Sequence, residues 1–225
     1  MKKLLCAAFA FLSLSIASAA EIDWAGAKWH VRTGSGQPCA SGIWSQQGVW
    51  VDTKGWLHLR MTRSQSGEFT CVEIESVKRF GFGRYSFEVS GPIGSIDKNV
   101  VFGIFMYPPK DVGEDGTNEI DIEIARWGHA LAPQVNYTAW YRSHKGNRHD
   151  TVEVPKDLAN ATFDMTWQHD QVTWESPIQH GKTIDFRGDI ADQPQTLIIN
   201  LWLFHSPSPE DHNEVEFVIK SMRLQ

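Results

Sequence analysis

The sequence predicts an all-β fold, a two-sheet antiparallel sandwich of the jelly-roll kind. Three observations carry that expectation. Apolar and polar residues alternate with period two over several short segments, the pattern of strands buried on one face. Clusters of Gly, Pro, Asn and Asp stand between those segments as turns. Amphipathic helical stretches of the kind that join parallel strands are missing.

The elements follow in order. Residues 56–61 read Trp-Leu-His-Leu-Arg-Met. Residues 84–89 put Tyr85, Phe87 and Val89 on one face and Arg84, Ser86 and Glu88 on the other. Further strands are predicted over 100–106, 119–125, 135–141, 196–204 and 215–224, all rich in β-branched and aromatic residues. Thr53-Lys54-Gly55, Gly91-Pro92, Pro108-Pro109, 113–116, Gly146-Asn147 and 207–209 supply turn signals. Only 157–161 hints at a helical turn. No internal repeat, low-complexity tract or linker divides the chain, so 20–225 is expected to form one domain.

Residues 1–19 read as a secretory signal peptide. Lys2 and Lys3 precede an apolar run, and Ala17-Ser18-Ala19 is a small-residue cleavage site. The run is too short for a spanning helix, and no later stretch approaches the roughly 20 apolar residues that a span needs. The expected compartment is therefore extracellular or periplasmic, for a monomer without a membrane span. Loss of Lys2 and Lys3 lowers the Lys and Arg count from 21 to 19 against 27 acids, so the net charge moves from −6 to −8. That charge argues against nucleic acid and anionic membranes as partners and favours a neutral substrate over a sulfated or uronic one. Cys6 leaves with the leader, and Cys39 and Cys71 remain as an even pair in a disulfide-permissive compartment. They are read as a disulfide, the alternative being two unrelated buried thiols.

The most informative segment is 118–124, Asn-Glu-Ile-Asp-Ile-Glu-Ile. On a strand, Glu119, Asp121 and Glu123 point to one face and the isoleucines to the other. Three like charges on one face repel, and a stabilising purpose is hard to find. A solvated face would carry mixed charges, and a calcium loop would put its ligands on Gly-punctuated turns. Glycoside cleavage accounts for the cost. A retaining glycosidase needs two carboxyls about 5–5.5 Å apart, one to attack the anomeric carbon and one to protonate the leaving oxygen. Glu119 and Glu123 lie on the order of 13 Å apart along the strand, and their long side chains can lean together. Asp121 between them would hold one carboxyl protonated by like-charge repulsion.

With those residues the sequence resembles glycoside hydrolase family 16, the jelly-roll enzymes that include lichenases and xyloglucan endotransglycosylases. The likeness runs through nearly all of 24–224. The run Glu119-Ile120-Asp121-Ile122-Glu123 is similar to the family's E-x-D-x-E signature, without the bulge residue of its E-x-D-x-x-E members. Cys71-Val72-Glu73 with 80–89, the pair 163–167 and 172–174, and Ile199-Asn200-Leu201-Trp202 resemble further family stretches. The resemblance implies a concanavalin A-like sandwich with the cleft on its concave sheet, and a Cys39–Cys71 disulfide. It implies Glu119 as nucleophile, Asp121 as helper and Glu123 as acid/base. It also implies sugar contacts at Glu73, Phe105, Tyr107, Asn136, Asn200 and Trp202, where flat rings and amides suit sugar faces and hydroxyls. For Phe105 and Trp202 the alternative is core packing.

The chain departs from lichenases at four places. Thr117-Asn118 stands for Trp-Asp, Glu75 for a sugar-contacting Arg, and Lys220 for an Asp that ligates calcium, which argues against that metal site. Arg126-Trp127-Gly128 is also unlike the usual continuation, and Trp127 is read either as a cap on the cleft or as core. Neither a metal nor a cofactor is expected. His144 and His149 lie in a polar loop without metal-ligand spacing, and there is no phosphate loop or Gly-x-Ser-x-Gly elbow. The expected function is a secreted, retaining endo-glycosidase acting on a β-linked polysaccharide or oligosaccharide, above all a β-glucan. The alternatives are a transglycosylase on the same carboxylates and a non-catalytic carbohydrate-binding jelly roll.

Overall fold

The computed structural model describes residues 20–225, and the expected leader lies outside the described residues. The first half of the described chain holds β1 (Ala20–Trp24), β2 (Ala27–Val31), β3 (Gly34–Ser35), β4 (Ile43–Trp44), β5 (Val49–Val51), β6 (Leu57–Met61), β7 (Val72–Phe80), β8 (Gly83–Ser90) and β9 (Val100–Tyr107). The second half holds β10 (Ile120–Ala125), β11 (Val135–Trp140), β12 (Asn147–Val152), β13 (Asn160–Gln168), β14 (Gln171–Glu175), β15 (Ile184–Arg187), β16 (Gln195–Leu203) and β17 (Val215–Leu224). Eight strands form one sheet in the order β1-β2-β7-β16-β9-β10-β11-β12, and seven form a second in the order β15-β14-β13-β8-β17-β6-β5. Neighbouring strands in both sheets pair antiparallel.

The inner faces of the two sheets meet in one apolar layer. Phe102 on β9 stacks on Phe217 of β17 with ring centroids 4.3 Å apart, and Tyr137 on β11 lies 5.6 Å from Trp174 on β14. Ile120, Ile122 and Ile124 are all buried in this layer. Burying each large apolar side chain contributes about 1.5–3 kcal/mol, which is what fixes the register of β10. With its isoleucines committed inward, period two leaves the acids of that strand on the outer face.

All seven predicted strands form, with ends displaced by a residue or so. The segment 157–161 does not make the expected helical turn. Leu158 N–H donates to the Pro155 carbonyl at 3.0 Å, closing a turn, and Asn160 already pairs with Ser90 on β8. The strand partner outweighs the local preference. Among the described residues no helix is long and apolar enough to cross a membrane.

Cys39 and Cys71 are joined by a disulfide. Around it, Ala40 N–H donates to Leu203 O at 2.8 Å and Leu203 N–H to Cys71 Sγ at 3.3 Å. The bond therefore ties the 36–44 segment to the end of β16. Gln37 and Pro38 of that segment line the cleft described below. A Cys71→Ser variant is expected to lose about 2–4 kcal/mol of stability, read from denaturant midpoints. An unchanged midpoint would mean that the segment is held without the bond.

Candidate active site

The outer face of the eight-stranded sheet carries a groove in two lobes that meet over β10. The larger lobe, about 560 Å³, is lined by Glu73, Glu75, Phe105, Tyr107, Asp115, Asn200 and Trp202 beside Glu119 and Glu123. The smaller lobe, about 310 Å³, is lined by all three acids with Trp127, Asn136, Thr138, Trp140, Asn147 and His149. Sheet register explains how distant segments converge. One rung runs Asn136–Glu123–Gly103–Asn200–Glu73 across β11, β10, β9, β16 and β7. The next runs Thr138–Asp121–Phe105–Ile198–Glu75 across the same strands. Neither ladder of β10 shows a register shift, so the alternation of its acids is unbroken.

Glu119 sits one residue before β10, though Trp140 N–H still donates to its carbonyl at 2.8 Å. Asn118 delivers it from the left-handed region, at φ 59°, a conformation that Asn tolerates better than most residues. The Asn118 amide donates to Arg142 O at 3.3 Å and to Thr117 Oγ1 at 3.1 Å, and Gln195 Nε2 donates to the Asn118 carbonyl. Thr117 and Asn118 are thus buried turn residues that aim Glu119, with no ring to offer a sugar.

Asp121 is the most enclosed of the trio, 3% exposed. Its Oδ2 accepts from Trp140 Nε1 at 3.0 Å, while Oδ1 is buried without a donor. Burial first, then the charges of Glu119 and Glu123, hold its carboxyl well above the usual range. As a neutral acid it can donate to Glu119, which satisfies the orphan oxygen and favours the charged form of Glu119. Burial pushes Glu119 up to about 7 against that hydrogen bond, with the charge of Asp115 adding to the rise. Glu123 is pushed up to about 8, by burial and then by the charge of Glu119. Because the charge of Glu119 raises Glu123, an ionised Glu119 favours the protonated form of Glu123.

Asn200 lies beside this pair and is 4% exposed. Its Nδ2 donates to Glu73 Oε2 at 3.1 Å, and Arg32 Nη1 donates to Glu73 Oε1 at 2.9 Å. Arg32 also donates to Gln37 O at 2.7 Å and lies 4.1 Å over the Trp44 ring. This relay fixes which way the amide faces and leaves Asn200 Oδ1 buried without a donor. Gly103 makes room for it, since a Cβ there would come 2.8 Å from that oxygen. Arg32→Met is expected to raise KM more than it lowers kcat, with kcat/KM on an oligosaccharide down about tenfold and partly restored by Arg32→Lys. Equal kinetics in wild type and Arg32→Met would remove the relay from substrate binding.

Five of the six expected sugar contacts, Glu73, Phe105, Tyr107, Asn200 and Trp202, line the larger lobe. Glu75 joins them as an added acid, raised by burial and by Glu73. Asn136 lies across the acids in the smaller lobe. Its Nδ2 is taken by Ala125 O at 3.0 Å and Gln134 O at 3.2 Å, and its Oδ1 accepts from Trp127 Nε1 at 3.2 Å. It therefore has no free donor for a sugar and holds Trp127 instead. Trp127 lines the lobe next to it, 6.3 Å from Trp202. Lys220 donates to Asn160 Oδ1 at 2.8 Å, so its ammonium reaches across β8 and is engaged by β13. Arg32, Asp115, Trp140 and His149 were not anticipated. Parity along β11 would have found Trp140, which is four residues from Asn136 and so shares its face. Arg32 and Asp115 sit in loops that carry no pattern.

Two antiparallel sheets with a groove floored by three alternating carboxyls define a jelly roll of the glycoside hydrolase class. The family model described as glycosyl hydrolases family 16 matches residues 37–217, and the chain belongs to that family. Among solved structures it is similar to a Bacillus licheniformis beta-glucanase at 19% identity and TM-score 0.68, over 88% of this chain and 91% of that one. A Bacteroides ovatus family 16 protein from a mixed linkage glucan locus, in complex with a G4G4G3G product, matches at 15% identity and TM-score 0.69, over 88% and 94%. A laminarinase catalytic domain from Thermotoga maritima matches at 18% identity and TM-score 0.65, over 87% and 90%. At these identities the likeness is one of fold. No curated protein sequence matches the chain.

Proposed function

We propose that this chain is a secreted, retaining endo-glycosidase that hydrolyses a β-glucan within the groove. The observation that carries the reading is the buried trio on one face of β10, with Asp121 accepting from Trp140 and set between Glu119 and Glu123 along the strand. Glu119 attacks the anomeric carbon and Glu123 protonates the departing oxygen. Glu123 then removes the proton from the water that frees the sugar. Asp121 keeps Glu119 ionised and steadies it. Glu73, Phe105, Tyr107, Asn200 and Trp202 hold the sugar in the larger lobe, and Asn136 acts through Trp127. The larger lobe brings three further acids, Glu73, Glu75 and Asp115, to the substrate, and its one cation, Arg32, is engaged by Glu73. A neutral glucan meets no repulsion there, whereas a sulfated or uronic chain does. The family match and the fold shared with glucanases support the substrate class.

The test is reducing-end release on mixed-linkage β-glucan, xyloglucan, laminarin and a galactan. Release on at least one β-glucan is expected. Binding of every glycan without release would favour a carbohydrate-binding protein instead. The pH profile of kcat/KM is expected to be a bell, rising through about 7 as Glu119 ionises and falling through about 8 as Glu123 loses its proton. A profile flat across that window would contradict the assignment of the two roles.

A further inference from the structure

We propose that the connection from β15 to β16, residues 188–194, is a clamp that aims the nucleophile, with Arg142, Asp189, Asp192 and Gln195 as positioning residues for the reaction. The proposal rests on the role given to Glu119 above and goes on to what holds that residue in place. None of the four residues lines either lobe of the groove, so each acts on the reaction only through other groups.

The chain at the end of β11 is the part that grips the acids. Trp140 N–H donates to Glu119 O at 2.8 Å, and Trp140 Nε1 donates to Asp121 Oδ2 at 3.0 Å. Asn118 N–H donates to Tyr141 O at 3.1 Å, and its Nδ2 donates to Arg142 O at 3.3 Å. Residues 140–142 therefore hold Asn118, Glu119 and Asp121 together. The strand itself ends at Trp140, so Tyr141 and Arg142 lie beyond its ladder and take their support from elsewhere.

That support comes from the connection. Arg142 N–H donates to Asp189 O at 3.2 Å, and Ser143 N–H donates to the Asp189 carboxylate at 3.1 Å. The Arg142 guanidinium lies 2.7 Å from Asp192, 3.2 Å from Asp170 and 3.7 Å from Asp189. Gln195, fully buried at the start of β16, donates to the Asn118 carbonyl. One stretch of chain, 189–195, thus holds both Arg142 and Asn118. It is anchored in turn to the second sheet. Trp167 Nε1 on β13 donates to Ala191 O at 2.7 Å, and Gly188 N–H donates to Asp170 O at 2.8 Å.

Each partly exposed ion pair contributes little stability by itself. Together they fix a geometry, because one planar guanidinium meets three carboxylates. Without that cation the three aspartates would be left as like charges near one another, and the clamp would open. Asn118 needs such support. Its φ of 59° lies in the left-handed region, which persists where the surroundings over-determine it. A displacement of about 1 Å in a reacting group can cost about 10²-fold in rate. The clamp therefore acts on attack by Glu119 and not on sugar binding.

The test compares wild type with Arg142→Met, Arg142→Lys and the milder Asp192→Asn, each at a temperature where its denaturation curve shows it folded. Lys182→Met is the control, since it breaks an ion pair with Asp150 outside the clamp. On mixed-linkage β-glucan, Arg142→Met is expected to lower kcat about 10–100-fold with KM within about twofold of wild type. Asp192→Asn is expected to lose about 3–10-fold in kcat, and Arg142→Lys to recover part of the Arg142→Met loss. Wild-type kcat in Arg142→Met, a loss confined to KM, or an equal loss in Lys182→Met would overturn the proposal. A second readout does not depend on chemistry. Hydrogen exchange at the backbone N–H and Nε1–H of Trp140 is followed by NMR, with Trp29 Nε1–H, bonded to Trp24 O at 2.9 Å, as reference. Exchange at both Trp140 sites is expected to speed up about tenfold or more in Arg142→Met, with Trp29 unchanged. If wild type cuts no β-glucan, the role of Glu119 fails on its own. The exchange rates then decide the clamp, faster exchange at Trp140 supporting it and equal exchange ruling it out.

Discussion

Replacing Glu119 by Gln is expected to lower β-glucan cleavage by roughly 10⁴-fold or more, because an amide cannot take the place of the attacking carboxylate. The substitution keeps the shape of the side chain and removes its charge. A loss of that size would therefore reflect chemistry and not a collapsed groove. A stability measurement separates the two. Glu119, Asp121 and Glu123 all have carboxyls raised above their ordinary values, by burial first. The folded chain then binds more protons than the unfolded chain between the ordinary carboxylate range and about 7 to 8. Stability from this cluster is full at low pH and is lost as pH rises through that window. Glu119→Gln removes one of the charges responsible. Its melting temperature is expected to exceed that of wild type at pH 8 and to match it near pH 4. Full activity in Glu119→Gln would remove Glu119 from the chemistry, and a variant destabilised at pH 8 would show that its ionised form is a structural asset.

Glu123→Ala is the second large effect, and its pattern matters more than its size. On an unactivated glucan the loss is expected to be about 10²–10⁴-fold, the usual weight of a general acid. On an aryl glycoside with a good leaving group the first step needs little proton transfer, and the loss should fall on the second step. Azide needs no base to attack the glycosyl ester, so it should restore turnover and leave a β-glycosyl azide. Absence of both rescue and azide product would count against Glu123 as the acid/base. The variant also relieves Asp121 of one neighbouring charge.

Much of the framework was legible because period two is a strong signal where one face is buried. The isoleucines of β10 and the alternation of 84–89 told the inner face from the outer, and both hold in the structure. Strands with weaker alternation were missed. In β12, Asn147–Val152, no residue is buried, so burial leaves no periodic trace. β1 and β2 are short, at five residues each. The acids were legible for the opposite reason, since their arrangement costs free energy and calls for a purpose. The surroundings of the acids were less so. Arg32 reaches Asn200 only through Glu73, across 127 residues between Asn200 and Glu73, and no local pattern encodes such a relay. Asn136 was expected to meet sugar, and its side chain is instead consumed by Trp127 and two carbonyls. Hydrogen-bond saturation of that kind depends on the final packing and cannot be read from residue type.

Retaining cleavage through Glu119 is tested most directly by trapping its covalent intermediate. Wild type would be incubated with an activated 2-fluoro glycoside of a β-glucan oligosaccharide, and the protein mass and peptide map would be measured after quenching. The expected result is a single added glycosyl unit on the peptide that holds Glu119, lost again when an acceptor sugar is supplied. A glycosyl unit on another carboxylate, or steady turnover of the parent glycan with no adduct from its fluorinated analogue, would contradict it.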